Sequence, residues 1–141
     1  MRIEPLRDYQ LDAALAVLPL HRLGGGEGLY LVAWDDDEPV GHAHLALLEP
    51  PELQDVFVRL DRRRSGIATA LTHAAEDEAR ARGATKLRLD VSIDNTPAQR
   101  LYEKLGYAGA GLPPRRVQGV VQIRTGPLEV DDMLLILEKR L

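Results

Sequence analysis

Arg62, Arg63 and Arg64 stand immediately before Ser65, Gly66 and Ala68, where the strand-like run LQDVFVRL gives way to a helical pattern. The first turn of a helix leaves backbone N–H groups unpaired and carries partial positive charge. Gly66 and Ala68 have no bulk to hold an anion at a distance, and the arginines add fixed charge around it. The chemistry on offer is capture of a phosphate or pyrophosphate. A plainer reading is a solvated charge run, with Gly66 and Ala68 allowing close packing of helix on sheet. The turn alone supports the two equally. It is not a nucleoside triphosphatase loop, because the lysine followed by serine or threonine is missing.

A second segment, Asp94 to Tyr107 (DNTPAQRLYEKLGY), opens on a polar cap and closes at Gly106 before an aromatic. Between them Ala98, Leu101, Tyr102 and Leu105 fall on one helix face. By itself this is an ordinary capped helix with Tyr102 as a core aromatic. His42 and His44 occupy alternate positions of a strand and therefore share a face, which would also permit a metal pair. No third ligand accompanies them, so no metal is expected.

These residues need a scaffold, and the pattern supplies one. Leu11, Ala14, Leu15 and Leu18 recur at helical spacing over Asp8 to Leu18, which Pro19 ends. GGGEG, Gly24 to Gly28, is a flexible connection; no helix follows it, as a phosphate cradle would require. Leu29 to Trp34 and Val40 to Leu48 read as an antiparallel hairpin turning at Asp35 to Glu38. Leu53 to Leu60 is a third strand, Ile67 to Arg82 a helix closed by Gly83, Leu87 to Val91 a strand and Thr96 to Leu105 a short helix. Strand-like stretches follow at Val117 to Ile123 and Met133 to Leu137. The order predicts an α+β fold, a three-layer α/β/α arrangement with a mixed, mostly antiparallel sheet, helices on both faces and one crossover in the middle.

Composition bounds the rest. A chain of 141 residues, 45% hydrophobic and 28% charged, fits one domain over residues 1–141, able to bury roughly two thirds of its unfolded surface. No apolar run has the length of a membrane span, and the N-terminus lacks a secretory pattern, so a cytoplasmic protein away from membranes is expected. The absence of cysteine removes disulfides, thiolate ligands and a cysteine nucleophile together. With 22 acidic against 18 basic residues and a net charge of -4, a nucleic-acid footprint is not expected.

The two segments together resemble the signatures of the GNAT acetyltransferase family. Arg63, Gly66 and Ala68 fill the coenzyme A loop pattern Q/R-x-x-G-x-G/A. Asn95 to Tyr107 fills the second, N-x-x-A-x-x-x-Y-x-x-x-G-Y, with a strand between the two. The resemblance is strong over Glu52 to Tyr107; upstream, only the order of elements agrees. Arg64 stands where a glycine is common and Leu60 where a proline is common, and neither removes a backbone donor.

The resemblance implies the GNAT fold, acetyl-CoA as cosubstrate and an amine as acceptor. Contacts to the cofactor fall on Phe57, Val58, Arg63, Arg64, Ser65, Gly66, Ile67, Ala68, Thr69, Asn95 and Tyr102. Backbone amides from Arg64 through Thr69 would hold the pyrophosphate, and the strand end at Phe57 and Val58 would pair with the pantetheine arm as an added strand does. Tyr102 would protonate the departing thiolate and the N–H near Val58 would face the oxyanion. Glu52, at the start of the same strand, is the expected base; a solvated strand-end residue is the equal alternative, and His42 or His44 could serve instead. Asp55 is expected on the opposite side of that strand. A homodimer through the C-terminal strands is a further expectation by resemblance.

Three functions fit: transfer to a small-molecule amine, which we favour; transfer to a protein N-terminus or lysine; and a non-catalytic acetyl-CoA sensor. The acceptor side, built from the N-terminal helix, the Gly24 to Gly28 loop and Gly109 to Thr125, carries no recognisable signature.

Overall fold

The computed structural model describes all 141 residues. Eight strands run β1 (Arg2–Pro5), β2 (Gly28–Asp35), β3 (Glu38–Ala46), β4 (Glu52–Val58), β5 (Lys86–Ser92), β6 (Ala108–Gly109), β7 (Arg115–Ile123) and β8 (Gly126–Arg140), with helices α1 (Leu11–Leu15), α2 (Ile67–Ala81) and α3 (Thr96–Lys104). The sheet order is β1-β2-β3-β4-β5-β8-β6, with β7 paired to β8. Only β4 and β5 are parallel, and α2 is the crossover between them, because parallel neighbours need a long connection.

One core lies beneath α2. Its inward stripe of Ile67, Leu71, Ala75 and Ala79 packs on Leu31, Ala33, Ala43, Leu45, Leu53, Leu87 and Leu89, and Tyr102 and Tyr107 complete it. A smaller core on the other face joins Ala14, Leu18 and Leu20 to Tyr30, Val32 and Trp34. Alternation along β2 explains the division: Leu31 and Ala33 point to one face, Tyr30, Val32 and Trp34 to the other. Gly41 lets α2 come close, since a Cβ there would stand 2.8 Å from the Phe57 carbonyl oxygen and 3.3 Å from Ile67 and Leu71.

Four expectations change. The N-terminal helix is shorter than Asp8 to Leu18: a 3-10 turn over Asp8–Gln10 leads into the five residues of α1, and the chain then tightens, with Val17 N–H bonding Ala14 O, before Pro19. β1 was not foreseen, because four residues, two exposed and two half-buried, ending in proline carry little pattern. The C-terminal strands are longer than Val117 to Ile123 and Met133 to Leu137, and form one hairpin whose turn is Arg124 and Thr125.

The fourth change bears on function. Asp55 is not on the face opposite Glu52. β3 and β4 slip register between His42 and His44, with His42 opposite Phe57 and His44 opposite Gln54. Asp55 therefore sits in a β-bulge with φ of 48°, a left-handed conformation that a non-glycine residue adopts at some cost. The bulge turns its carboxylate to the face that holds Gln54, Phe57 and the smaller core.

Candidate active site

β4 and β5 pair at Glu52 with Arg88 and at Leu53 with Leu89, and no further. Beyond that point they separate, and the gap is a cleft of about 550 Å³ bounded by Val56, Phe57 and Val58 of β4, the arginine turn, the start of α2, and Pro97, Ala98, Leu101 and Tyr102 of α3. The edge of β4 is open along it. Arg59 N–H bonds Val40 O, so by antiparallel alternation Phe57 bonds toward β3 while Val58 turns its N–H and C=O into the cleft.

At one end of the cleft α2 begins at Gly66, in the left-handed region at φ 81°, with no side-chain cap and no acidic residue in its first turn. The N–H groups of Ile67, Ala68 and Thr69 are therefore unpaired; the first helical bond runs from Ala70 N–H to Gly66 O at 3.0 Å. The arginines divide their work. Arg62 is held by Asp35 at 2.5 Å and Glu38 at 3.2 Å. Arg63 lies 5.9 Å over the Phe57 ring and donates from Nε to Val58 O at 3.1 Å. Arg64, at φ 64°, has no side-chain partner.

Tyr102 lines the other end. Its ring stands edge-to-face on Tyr107 at 5.8 Å, and burial pushes its hydroxyl up to about 12, so the phenol stays protonated at neutral pH. On the other side of β4 is a second cavity of about 440 Å³, lined by Glu52, Gln54, Asp55, Asp90, Arg22 and Arg115 among others. The two residues of the bulge thus look into different spaces: Asp55 into this cavity, Val56 into the cleft.

Residues 3–107 match the model of the Acetyltransferase (GNAT) family. The chain belongs to that family. It is 40% identical over 83 residues to a mycothiol acetyltransferase of Corynebacterium glutamicum, covering 57% of this chain and 28% of that protein. It is 39% identical over 67 residues to a streptothricin acetyltransferase of Streptomyces lavendulae, covering 48% of this chain and 35% of that one. The chain spans only about a third or less of the length of these curated relatives.

Solved structures agree in fold over nearly the whole chain. The ribosomal-protein-S18-alanine N-acetyltransferase of Escherichia coli superposes with a TM-score of 0.73 at 23% identity, covering 99% of this chain and 92% of that one. A GNAT acetyltransferase of Elizabethkingia anophelis with acetyl-CoA bound gives 0.75 at 18% identity, covering 99% and 97%.

Of the GNAT positions expected from sequence, Phe57, Val58, Arg63, Arg64, Gly66, Ile67, Ala68, Thr69 and Tyr102 come together around the cleft. Ser65 and Asn95 stand apart from its lining. The Ser65 hydroxyl donates to Arg62 O and shapes the turn; Asn95 accepts from Ala98 N–H at 3.2 Å and caps α3. Glu52 is in the other cavity, with Gln54 donating to it at 3.3 Å. His42 is fully buried with both ring nitrogens engaged, Nδ1 on Asp55 O at 2.8 Å and Nε2 on Leu20 N–H at 3.2 Å. That pairing removes it from metal binding, and no group of three metal-ligating side chains forms.

Sequence reasoning missed the cluster that Asp55 organises. Its Oδ2 accepts from Tyr30 at 2.6 Å and from the His21 N–H at 3.0 Å, and its Oδ1 meets His21 Nδ1 at 2.9 Å. No spacing signal joins His21, Tyr30 and Asp55, which lie on three different segments. The position of Asp55 also depends on a bulge that a regular alternation does not reveal.

Proposed function

We propose that the protein transfers an acetyl group from acetyl-CoA to the primary amine of a small molecule. The observation that carries this reading is the split between β4 and β5, which opens an anion-binding helix start, a free strand edge and a protonated tyrosine onto one cleft. A polar cavity lined by Glu52, Asp55, Asp90, Arg22 and Arg115 lies on the far side of the same strand.

The residues fit the cofactor. Unpaired N–H groups at Ile67, Ala68 and Thr69, with Arg64 beside them, suit a pyrophosphate. The edge of β4 at Val58, whose N–H faces the cleft and whose C=O accepts only from the exposed Arg63 side chain, suits an extended amide-bearing arm. Acetyl-CoA supplies the activated acetyl thioester. Tyr102 holds a proton where the departing sulfur needs one, and Val58 N–H can face the developing oxyanion. Two groups can take the amine proton: Glu52 of the acceptor cavity, directly or through water, and the imidazole of His21, which Asp55 of the same cavity holds. Holding the amine beside the thioester supplies much of the acceleration, since effective molarities of about 10⁵ M or more are attainable in favourable cases.

Small-molecule specificity draws support from the relatives named for mycothiol and streptothricin, and from Glu52, the cavity carboxylate that no basic side chain holds, which suits a cationic acceptor. A cytoplasmic location belongs to this reading; no helix is long and apolar enough to cross a membrane. So does a homodimer through the β7–β8 hairpin, where Val120, Val121, Leu128 and Met133 are exposed; sedimentation that finds only monomer at micromolar concentration would remove it.

The test is thiol release from acetyl-CoA over a panel of small amines and alanine-initiated peptides, with Tyr102→Phe alongside. We expect turnover of small amines and a loss of about 10²-fold or more in kcat in the variant. Turnover confined to the peptides would move the acceptor to a protein N-terminus. Tight acetyl-CoA binding without turnover would favour a sensor, and no binding would overturn the reading.

A further inference from the structure

We propose that His21 is the general base of the reaction and that Asp55 is its positioning residue. This rests on the acetyl-transfer reading above, and it replaces Glu52 in that role.

The geometry of His21 is that of an oriented imidazole. Asp55 holds it at two points, Oδ1 on the ring Nδ1 at 2.9 Å and Oδ2 on the backbone N–H at 3.0 Å. A carboxylate at Nδ1 selects the tautomer with the hydrogen on that nitrogen and leaves the lone pair on Nε2. No protein group bonds Nε2, and the side chain is 41% exposed. Asp55 is itself fixed by the Tyr30 hydroxyl at 2.6 Å. The chain on either side of His21 is pinned as well: Leu20 N–H donates to His42, Arg22 N–H to the Tyr30 oxygen, and Arg124 N–H to His21 O.

Orientation, and the placing of Asp55, favour His21 over Glu52. Asp55 lines the acceptor cavity, and Val56, the next residue, lines the cleft. The imidazole, 2.9 Å from the Asp55 carboxylate, is therefore carried beside the acceptor cavity by a residue whose neighbour forms the cleft wall. Glu52 lies roughly 10 Å back along β4 at about 3.3 Å per residue, where β4 is still paired with β5, and Gln54 already donates to its carboxylate. The strained backbone at Asp55, φ 48°, is accounted for by the same role, since it brings the carboxylate to His21.

In the step itself, Nε2 of His21 accepts a proton from the acceptor nitrogen as that nitrogen bonds the acetyl carbon. The C–S bond then breaks with its electron pair on sulfur, which takes the Tyr102 proton. The titratable and charged groups around the imidazole are Asp55 of β4, which bonds it, Tyr30 of β2 and His42 of β3 behind Asp55, and Arg22 and Arg124, whose backbone N–H groups bond Tyr30 and His21 O.

The decisive variant is His21→Asn, which keeps a donor where Nδ1 stood and removes the base. With acetyl-CoA and either alanine amide or 1,4-diaminobutane, kcat/KM should fall by about 10²-fold or more. The acidic limb of the wild-type pH profile that belongs to the enzyme should vanish, while acetyl-CoA affinity by calorimetry stays within twofold. Retention of that limb in His21→Asn with its loss in Glu52→Gln would return the role to Glu52. A second readout needs no acceptor: in ¹⁵N-labelled protein at pH 8, the His21 ring should carry its hydrogen on Nδ1, and Asp55→Asn should release that preference. A ring found with its hydrogen on Nε2 overturns the proposal even if no amine is turned over. Failure of acetyl-CoA to bind the wild type is a separate result, directed at the acetyl-transfer reading alone.

Discussion

Tyr107 donates its hydroxyl to Oε2 of Glu76 at 2.8 Å, joining the end of the second GNAT signature to the middle of α2. Glu76 is 2% exposed, and Lys139 of β8 meets both of its oxygens at 3.1 Å. Tyr102 stands edge-to-face on the Tyr107 ring that Glu76 holds, so a buried carboxylate outside the cleft helps to fix the proposed proton donor through Tyr107.

Removing one partner of a buried ion pair costs more than the pair contributes, because a charge is left without compensation. Lys139→Met should therefore destabilise the fold by about 2 kcal/mol, read as a lower urea midpoint at unchanged slope. Lys139→Met combined with Glu76→Leu should cost less than the sum of the two single changes. An additive double variant would mean that the pair is not coupled.

Arg64 adopts φ 64° and forms no side-chain hydrogen bond or ion pair, a conformation that glycine reaches without the steric cost of a Cβ. Its value must lie in its charge beside the start of α2. Arg64→Gly should raise stability by about 0.5 kcal/mol through relief of that cost, while weakening acetyl-CoA binding at low ionic strength. The affinity gap between variant and wild type should close as salt is raised, because the lost interaction is a screened surface charge. Calorimetric titrations at two salt concentrations, with a thermal melt of each protein, check both parts.

How much of this was readable beforehand follows from where local signals are strong. The helix expected over Ile67 to Arg82 is α2 to within one residue, and Gly83 and Gly106 both stand at positive φ after their helices, since one apolar stripe and one C-terminal glycine mark a helix without help from distant residues. The cleft was readable for the same reason: most of its wall lies within two contiguous segments. Asp55 was not, because its placement depends on how two strands slip past each other. His21 and Glu76 were not either, as their partners lie 34 and up to 63 residues away and nothing in their neighbourhood marks them. The C-terminal hairpin was underestimated because β7 is largely exposed and lacks the apolar alternation of a half-buried strand.

The buried histidines give the fold a pH dependence whose sign is fixed. Burial holds His42 below the ordinary histidine range, against the opposing pull of Asp55, and burial does the same to His44, against the hydrogen bond its Nδ1 donates to Gln54 Oε1. Below an unfolded value near 6.5 the unfolded chain binds protons that the folded chain refuses. Stability is therefore fully present above about pH 7 and declines as pH falls through that value, by at most about 1.4 kcal/mol per pH unit for each histidine. Glu4 and Asp35, held low by hydrogen bonds from Gln10 and Arg62 respectively, respond only in the more acidic carboxylate range and leave this window clear. Urea unfolding of the wild type at pH 7.5 and 5.5 should show the decline. His42→Asn should be less stable at both values, having lost the partner of the Leu20 N–H, yet show a shallower dependence on pH by about one proton. An unchanged dependence in that variant would mean that His42 binds its proton equally in both states, and the neutral, buried histidine beside Asp55 would have to be abandoned.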